Sequence, residues 1–311
     1  MTTGHSSPSL VVLMYHAIVR QPLSVPDWCF LSERMFQDQL EALAATRRVR
    51  RLSDAIRDWG GESSPEPTIA VTFDDGFLNN CTVAFPLLEK LRIPATIFIN
   101  TAFVGTADTL WFCKVNRAIA ETHLSSLAFG GETYDLSDPG ARAHASARIQ
   151  ARLKARPHPA LLVELEDLCR RSGIDATTPI RRDSPYAVLD EHSIRHMTAS
   201  GLIDFGAHTH THAILSRLTP EQRRFEIVRS VEATRAITAR PCELFAYPNG
   251  RREDYDDDSI AILQSLGIQA AVTAVHGAND QSTPAMELKR VGVGPDMTLV
   301  DFKATLSYVQ S

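Results

Sequence analysis

Ile69-Ala70-Val71-Thr72-Phe73-Asp74-Asp75-Gly76 passes from apolar to acidic within one short segment. Its first five residues, β-branched and aromatic but for one alanine, suit a buried strand. A strand that then delivers two adjacent carboxylates places them at its carboxyl end, where α/β folds bind ligands, and Gly76 lets the chain turn at once. Two neighbouring aspartates are costly there unless a cation or proton compensates them. Such a pair can divide its work, one carboxylate ligating a metal and the other staying free as a base. By itself Asp-Asp-Gly is more often a simple turn, so the rest of the chain has to decide.

Similar apolar runs recur outward from this segment, over Val11 to Tyr15, Ala95 to Ile99, Ile203 to Gly206, Leu244 to Tyr247, Ala270 to Val275 and Val291 to Val293. Helical patterns separate them: Phe36, Leu40 and Leu43 share one face behind Ser32 as a cap, and Thr219-Pro220-Glu221-Gln222 carries a capping box with proline at N1. The alternation predicts an α/β fold with parallel strands and crossover helices. Between Thr106 and Ser184 the rhythm changes. Lys114 to Ala120, Ala141 to Lys154 and Pro159 to Arg171 read as helices and no strand is evident, so residues 106–184 are expected to be a helical insertion in a single domain spanning 1–311.

Bulk properties narrow the function classes. The chain has 311 residues, 44% of them hydrophobic, enough for a substantial core. With 32 basic and 37 acidic residues it carries a formal charge of -5, which argues against nucleic acid or an anionic membrane as partner. No run approaches the roughly 18 to 20 apolar residues of a membrane span, and Met1 to Leu10 lacks a basic n-region. The expected location is therefore the cytoplasm. Five scattered cysteines with no C-x-x-C pair fit a reducing compartment.

The second constellation is His208-Thr209-His210-Thr211-His212, reached from the apolar run at Ile203. Imidazoles four residues apart can converge on one metal, which selects His208 and His212 and leaves out His210 on the other phase. Lesser features read as structure: Trp111-Phe112 as core packing, with stacking on a sugar ring as its alternative, Arg251-Arg252 beside the Asp254 to Asp258 run as a solvated loop, Gly277 and Asn279 as a turn.

Taken together, Thr72-Phe73-Asp74-Asp75-Gly76, Phe205-Gly206-Ala207-His208-Thr209 continuing to His212, and Phe245-Ala246-Tyr247-Pro248-Asn249-Gly250 resemble, in order, three motifs of the NodB-homology polysaccharide deacetylases. The resemblance covers residues 9 to 105 and 186 to 296 and leaves the insertion outside. It implies an irregular (β/α) barrel of about seven parallel strands. It further implies a metal held by Asp75, His208 and His212, with Asp74 as general base and the Tyr247 backbone N–H as oxyanion donor.

Two departures matter. The arginine that commonly heads the third motif and the late Leu-x-His motif that supplies the acid are both missing. Leu13-Met14-Tyr15-His16 is instead similar to the circularly permuted branch of poly-N-acetylglucosamine deacetylases, which makes His16 the candidate acid. Arg290, in Leu288-Lys289-Arg290-Val291-Gly292, is the best substitute for the missing arginine, a solvated surface position being its alternative.

The implied reaction is removal of an N-acetyl group from an amino sugar, whether polysaccharide, oligosaccharide, lipid-linked or small. It needs a divalent metal and no organic cofactor. Zinc suits the ligands, and cobalt, nickel or manganese could use the same set. An O-acetyl esterase or deformylase on the same scaffold, or a non-catalytic glycan-binding module, are the competing readings; an acid and a base across a metal argue against the last.

Overall fold

The structure is a computed structural model that describes residues 10–46, 48–58 and 68–307. Seven strands form a closed, all-parallel barrel: β1 (Leu10–Tyr15), β2 (Thr68–Phe73), β3 (Ala95–Ile99), β4 (Ile203–Ala207), β5 (Leu244–Ala246), β6 (Ala270–His276) and β7 (Leu288–Gly292). Each strand pairs with its neighbours in chain order, and β7 returns to β1 through Leu13↔Val291. The expected (β/α) barrel is thus the observed architecture. It is irregular where β4 meets β5 through a single residue pair and where the β6–β7 register shifts between Val272 and His276.

The strands are apolar on both faces because both are buried. Val12, Ala70, Phe98, Ala246, Val272 and Leu288 pack into one cluster, while Val11, Leu13, Tyr15, Val71, Phe73 and Ile97 join a second with Phe36, Leu40 and Leu43 of α1 (Glu33–Thr46). Strand alternation sends successive residues to opposite clusters. Gly206 is required by this filling: a Cβ there would lie 2.5 Å from the Phe98 ring and 2.8 Å from the Leu244 carbonyl oxygen.

The 106–184 segment contains three helices, α2 (Trp111–Glu121), α3 (Pro139–Lys154) and α4 (His158–Ser172). The expectation of helices alone is corrected here, because Ser126–Phe129 and Glu132–Asp135 form an antiparallel hairpin. Its turn is Gly130-Gly131, with φ of 60° and 85°, the left-handed pair that a two-residue hairpin needs. Trp111 and Phe112 are buried in a shared core that also takes in Val25, Cys29 and Phe30, so the segment and the chain just after β1 pack as one unit. A short parallel pair, Ala17–Val19 with Phe30–Ser32, also lies in this region.

Among the described residues no helix is long and apolar enough to cross a membrane. Of the Met1 to Leu10 stretch read above, residues 1–9 lie outside the described residues, as does the last segment, 308–311.

Replacing Gly206 by alanine is expected to lower stability by about 1–3 kcal/mol through overpacking against Phe98 and the β5 backbone. Thermal or denaturant unfolding should register it; an unchanged midpoint would contradict this account of the barrel interior.

Candidate metal centre

Parallel closure puts every strand's carboxyl end on one face, and the chemical residues follow directly. His16 follows β1, Asp74 and Asp75 follow β2, His208 follows β4 and Tyr247 follows β5. Several stay in the ladder one residue past their strand: Asp74 N–H donates to Tyr15 O at 2.9 Å, His208 N–H to Ile99 O at 3.0 Å. The rigid sheet therefore fixes them, with little freedom left to the loops.

Asp75, His208 and His212 converge, their candidate ligand atoms all lying within 4.8 Å of one another, and all three are buried. Asp75 Oδ1 is 3.6 Å from His208 Nε2 and 3.3 Å from His212 Nε2. His208 Nδ1 lies 2.7 Å from Ala246 O, an acceptor, so the proton sits on Nδ1 and the Nε2 lone pair faces Asp75. Asp75 Oδ1 has no hydrogen-bond donor although it is buried. Burial pushes its pKa up to about 6, against the pull of His16 and His208. His212 is driven the other way, down to about 3, by burial and then by Lys154. A buried acceptor without a donor beside two neutral imidazoles is the donor set a divalent cation would satisfy. Three of these positions are held at positive φ without glycine: Asp75 at 73°, Thr209 at 59° and His212 at 58°. Such conformations persist where the surroundings over-determine them, and they cluster at functional sites.

Asp74 sits in a different environment. Arg290 donates Nη1–H to Oδ1 and Nη2–H to Oδ2, each at 2.7 Å, and also donates Nε–H to Thr273 O at 2.6 Å. Arg290 is 1% exposed, so its surface alternative does not hold. Burial alone would raise the Asp74 pKa, but the Arg290 charge, His208 and the guanidinium hydrogen bonds outweigh it and hold the carboxyl well below the ordinary range. His16 Nε2 lies 4.0 Å from Asp74 Oδ2, beyond hydrogen-bond reach, and burial lowers its pKa. Its ring meets the Trp28 ring edge-on at 4.7 Å.

Tyr247 departs from expectation. Its N–H donates to Val272 O at 3.1 Å and its hydroxyl donates to Met286 O at 3.1 Å, while its ring stacks on Tyr255 at 3.9 Å. The N–H is thus a rung of the β5–β6 ladder and would have to share or release that bond to receive an oxyanion. His210, excluded from the ligand set, pairs with Thr101 Oγ1 at 2.8 Å.

Sequence reasoning passed over several supports. Glu226, buried on α5 (Pro220–Thr238), accepts both the N–H and the hydroxyl of Thr211 inside the histidine loop. Asn80 donates to His16 O at 2.7 Å from a π-helical turn, a local irregularity frequent at functional sites. Phe112 packs on His212 with ring centroids 5.4 Å apart, and His158 Nε2 lies 3.3 Å from Thr211 Oγ1. The 106–184 segment therefore forms one side of the site. Glu226, Asn80 and His158 had no local signal beyond polarity, and Phe112, read as core, gave none of its contact with His212, because each acts through a residue distant in the chain.

The family model described as polysaccharide deacetylase matches residues 61–271. YxkH of Bacillus subtilis (strain 168) is 29% identical over 123 residues, which is 40% of this chain and 42% of YxkH. Among solved structures, the Streptococcus pyogenes deacetylase PplD in complex with acetate superposes with a TM-score of 0.64 at 17% identity, over 97% of this chain and 99% of that one. IcaB from Ammonifex degensii gives 0.61 at 20% identity, over 98% of both chains. At these identities the two structures establish the shared fold.

Removing the guanidinium leaves Asp74 as an unpaired buried charge, so Arg290→Met is expected to cost about 3–5 kcal/mol at pH 7. The Asp74 pKa is depressed in the folded protein, so the stability it confers is present above the unfolded carboxyl pKa of about 4 and fades as pH falls below it. The deficit of the variant should therefore shrink under acid. Urea unfolding at pH 7 and pH 3.5 measures this, and a pH-independent deficit would rule the ion pair out as its source.

Proposed function

The chain belongs to the polysaccharide deacetylase family, and from that premise we propose that it hydrolyses the N-acetyl amide of an amino sugar at a divalent metal held by Asp75, His208 and His212. The observation that carries the proposal is the electrostatic division of two adjacent aspartates. Asp75 has an unsatisfied buried oxygen facing two imidazoles, whereas Asp74 is paired with a guanidinium and stays ionised.

A bound divalent ion, with zinc the expected one and cobalt, nickel or manganese able to use the same ligands, supplies Lewis acidity toward the acyl oxygen and toward water. Asp74 takes the proton from the attacking water. Arg290 uses one lone pair on each of its oxygens, which leaves the others to accept that proton. The two hydrogen bonds also fix the direction in which the carboxylate points, as a general base requires. His16, buried beside Asp74, gives a proton to the departing amine. Burial lowers its pKa, so the protonated ring is the stronger acid toward the amine. Carbohydrate is the substrate class that the family supports, and the acetyl group and the amide link are the finer parts of the proposal.

Asp74→Asn is expected to retain metal and lose turnover by about 10²–10⁴-fold, His16→Ala to lose about 10²-fold or more, and His212→Ala to lose metal and activity together. Metal analysis and amine release from N-acetylglucosamine oligomers, nucleotide sugars and glycolipids test all three. Full activity in Asp74→Asn would remove the base assignment. Acetate released without a new primary amine would convert the reading to an ester hydrolase.

A further inference from the structure

Trp28 is 50% exposed although it sits between well-buried neighbours, Val25 and Cys29, on the chain that leaves the acid-bearing strand. Its ring meets His16 nearly perpendicularly, at 76° and 4.7 Å between centroids, so a half-exposed indole adjoins the candidate acid. On the metal side, Phe112 closes against His212 at 5.4 Å.

The exposure is held in place by structure. Asp27 Oδ1 accepts the Cys29 N–H at 2.9 Å, and the Phe30 N–H donates to Asp27 O at 3.1 Å, which closes a tight turn under Trp28. The other Asp27 oxygen accepts Asn116 Nδ2 at 2.6 Å. Asn116 is itself buried on α2 and receives Ser146 Oγ at 2.6 Å and Gln150 Nε2 at 3.0 Å from α3. On the far side, Gly294 approaches so closely that a Cβ there would come within 3.1 Å of the Trp28 carbonyl oxygen. The turn is thus fixed by a hydrogen-bond chain that starts in the 106–184 segment.

We propose that the Trp28 indole is a platform for the apolar face of a sugar ring at the reaction site, and that Asn116 is the positioning residue through which the 106–184 segment sets it. An indole offers a flat apolar surface with a negative π-face, and the axial C–H groups of a pyranose match both properties. A rigid aromatic also binds at low entropic cost, since little rotamer freedom remains to be lost. The proposal rests on the carbohydrate reading above and adds to it a residue and a task for the segment outside the catalytic motifs.

Calorimetric binding of tri-N-acetylchitotriose and of UDP-N-acetylglucosamine to the metal-free chain, together with steady-state kinetics on the metal-loaded enzyme, tests this. Trp28→Ala is expected to raise Kd and KM about 10-fold, the scale of one aromatic contact, with metal content and circular dichroism as in wild type. Trp28→Phe should recover part of the loss, and Asn116→Ala should raise KM more than it lowers kcat. Two results overturn the platform while sparing the carbohydrate reading: Kd within twofold of wild type in Trp28→Ala, or a fall in kcat with Kd unchanged, which would make Trp28 a buttress for His16. A wild type that binds neither probe and releases no amine ends the carbohydrate reading itself, and the platform with it.

Discussion

A guanidinium buried to 1% exposure has to be neutralised and fully hydrogen-bonded, and the barrel is arranged so that Arg290 is. Its donors reach Asp74 twice, Thr273 O on β6 and Thr72 Oγ1 on β2. One side chain from β7 therefore ties β2, early in the chain, to the late strands β6 and β7. The same pairing that removes the cost of the buried cation keeps Asp74 ionised, so a structural necessity and a chemical one are met by the same pair of hydrogen bonds.

Asp75, one residue further along, is left without such a partner. The alternation of side chains along a strand ends at this point and a φ of 73° turns Asp75 toward His208 and His212 instead of toward Arg290. Adjacent carboxylates so close in the chain would otherwise repel and titrate together. Their separation depends on two further left-handed residues in the histidine loop, and that loop is pinned through Thr211 to Glu226 on α5. Strain at the site is thus sustained by packing and hydrogen bonds contributed from outside it.

The 106–184 segment extends this dependence. Its core merges with the chain following β1, and it touches the site at Phe112 and His158 and, through Asn116 and Asp27, at the turn that carries Trp28. A segment with none of the three motifs in it still lines the candidate centre, because its core takes in Ala17 and Phe77, which follow β1 and β2.

The sequence by itself determined the barrel's strands, since seven apolar runs bounded by helical patterns are local signals, and it brought Asp74, Asp75, His208 and His212 into view as clustered chemistry. It also pointed to His16 and Arg290 through a resemblance in motif order. The hairpin at 126–135 was missed because its strands are four residues each and not apolar runs, although Gly130-Gly131 carried a turn signal. Tertiary structure alone decided that Arg290 is interior and bound to Asp74, that the Tyr247 N–H is committed to Val272, and that Trp28 stands against His16. Each of these is a contact between residues that are 12 to 216 positions apart. Local pattern encodes the periodicity of one element against its surroundings; it does not encode which two elements meet, and barrel closure is what makes them meet.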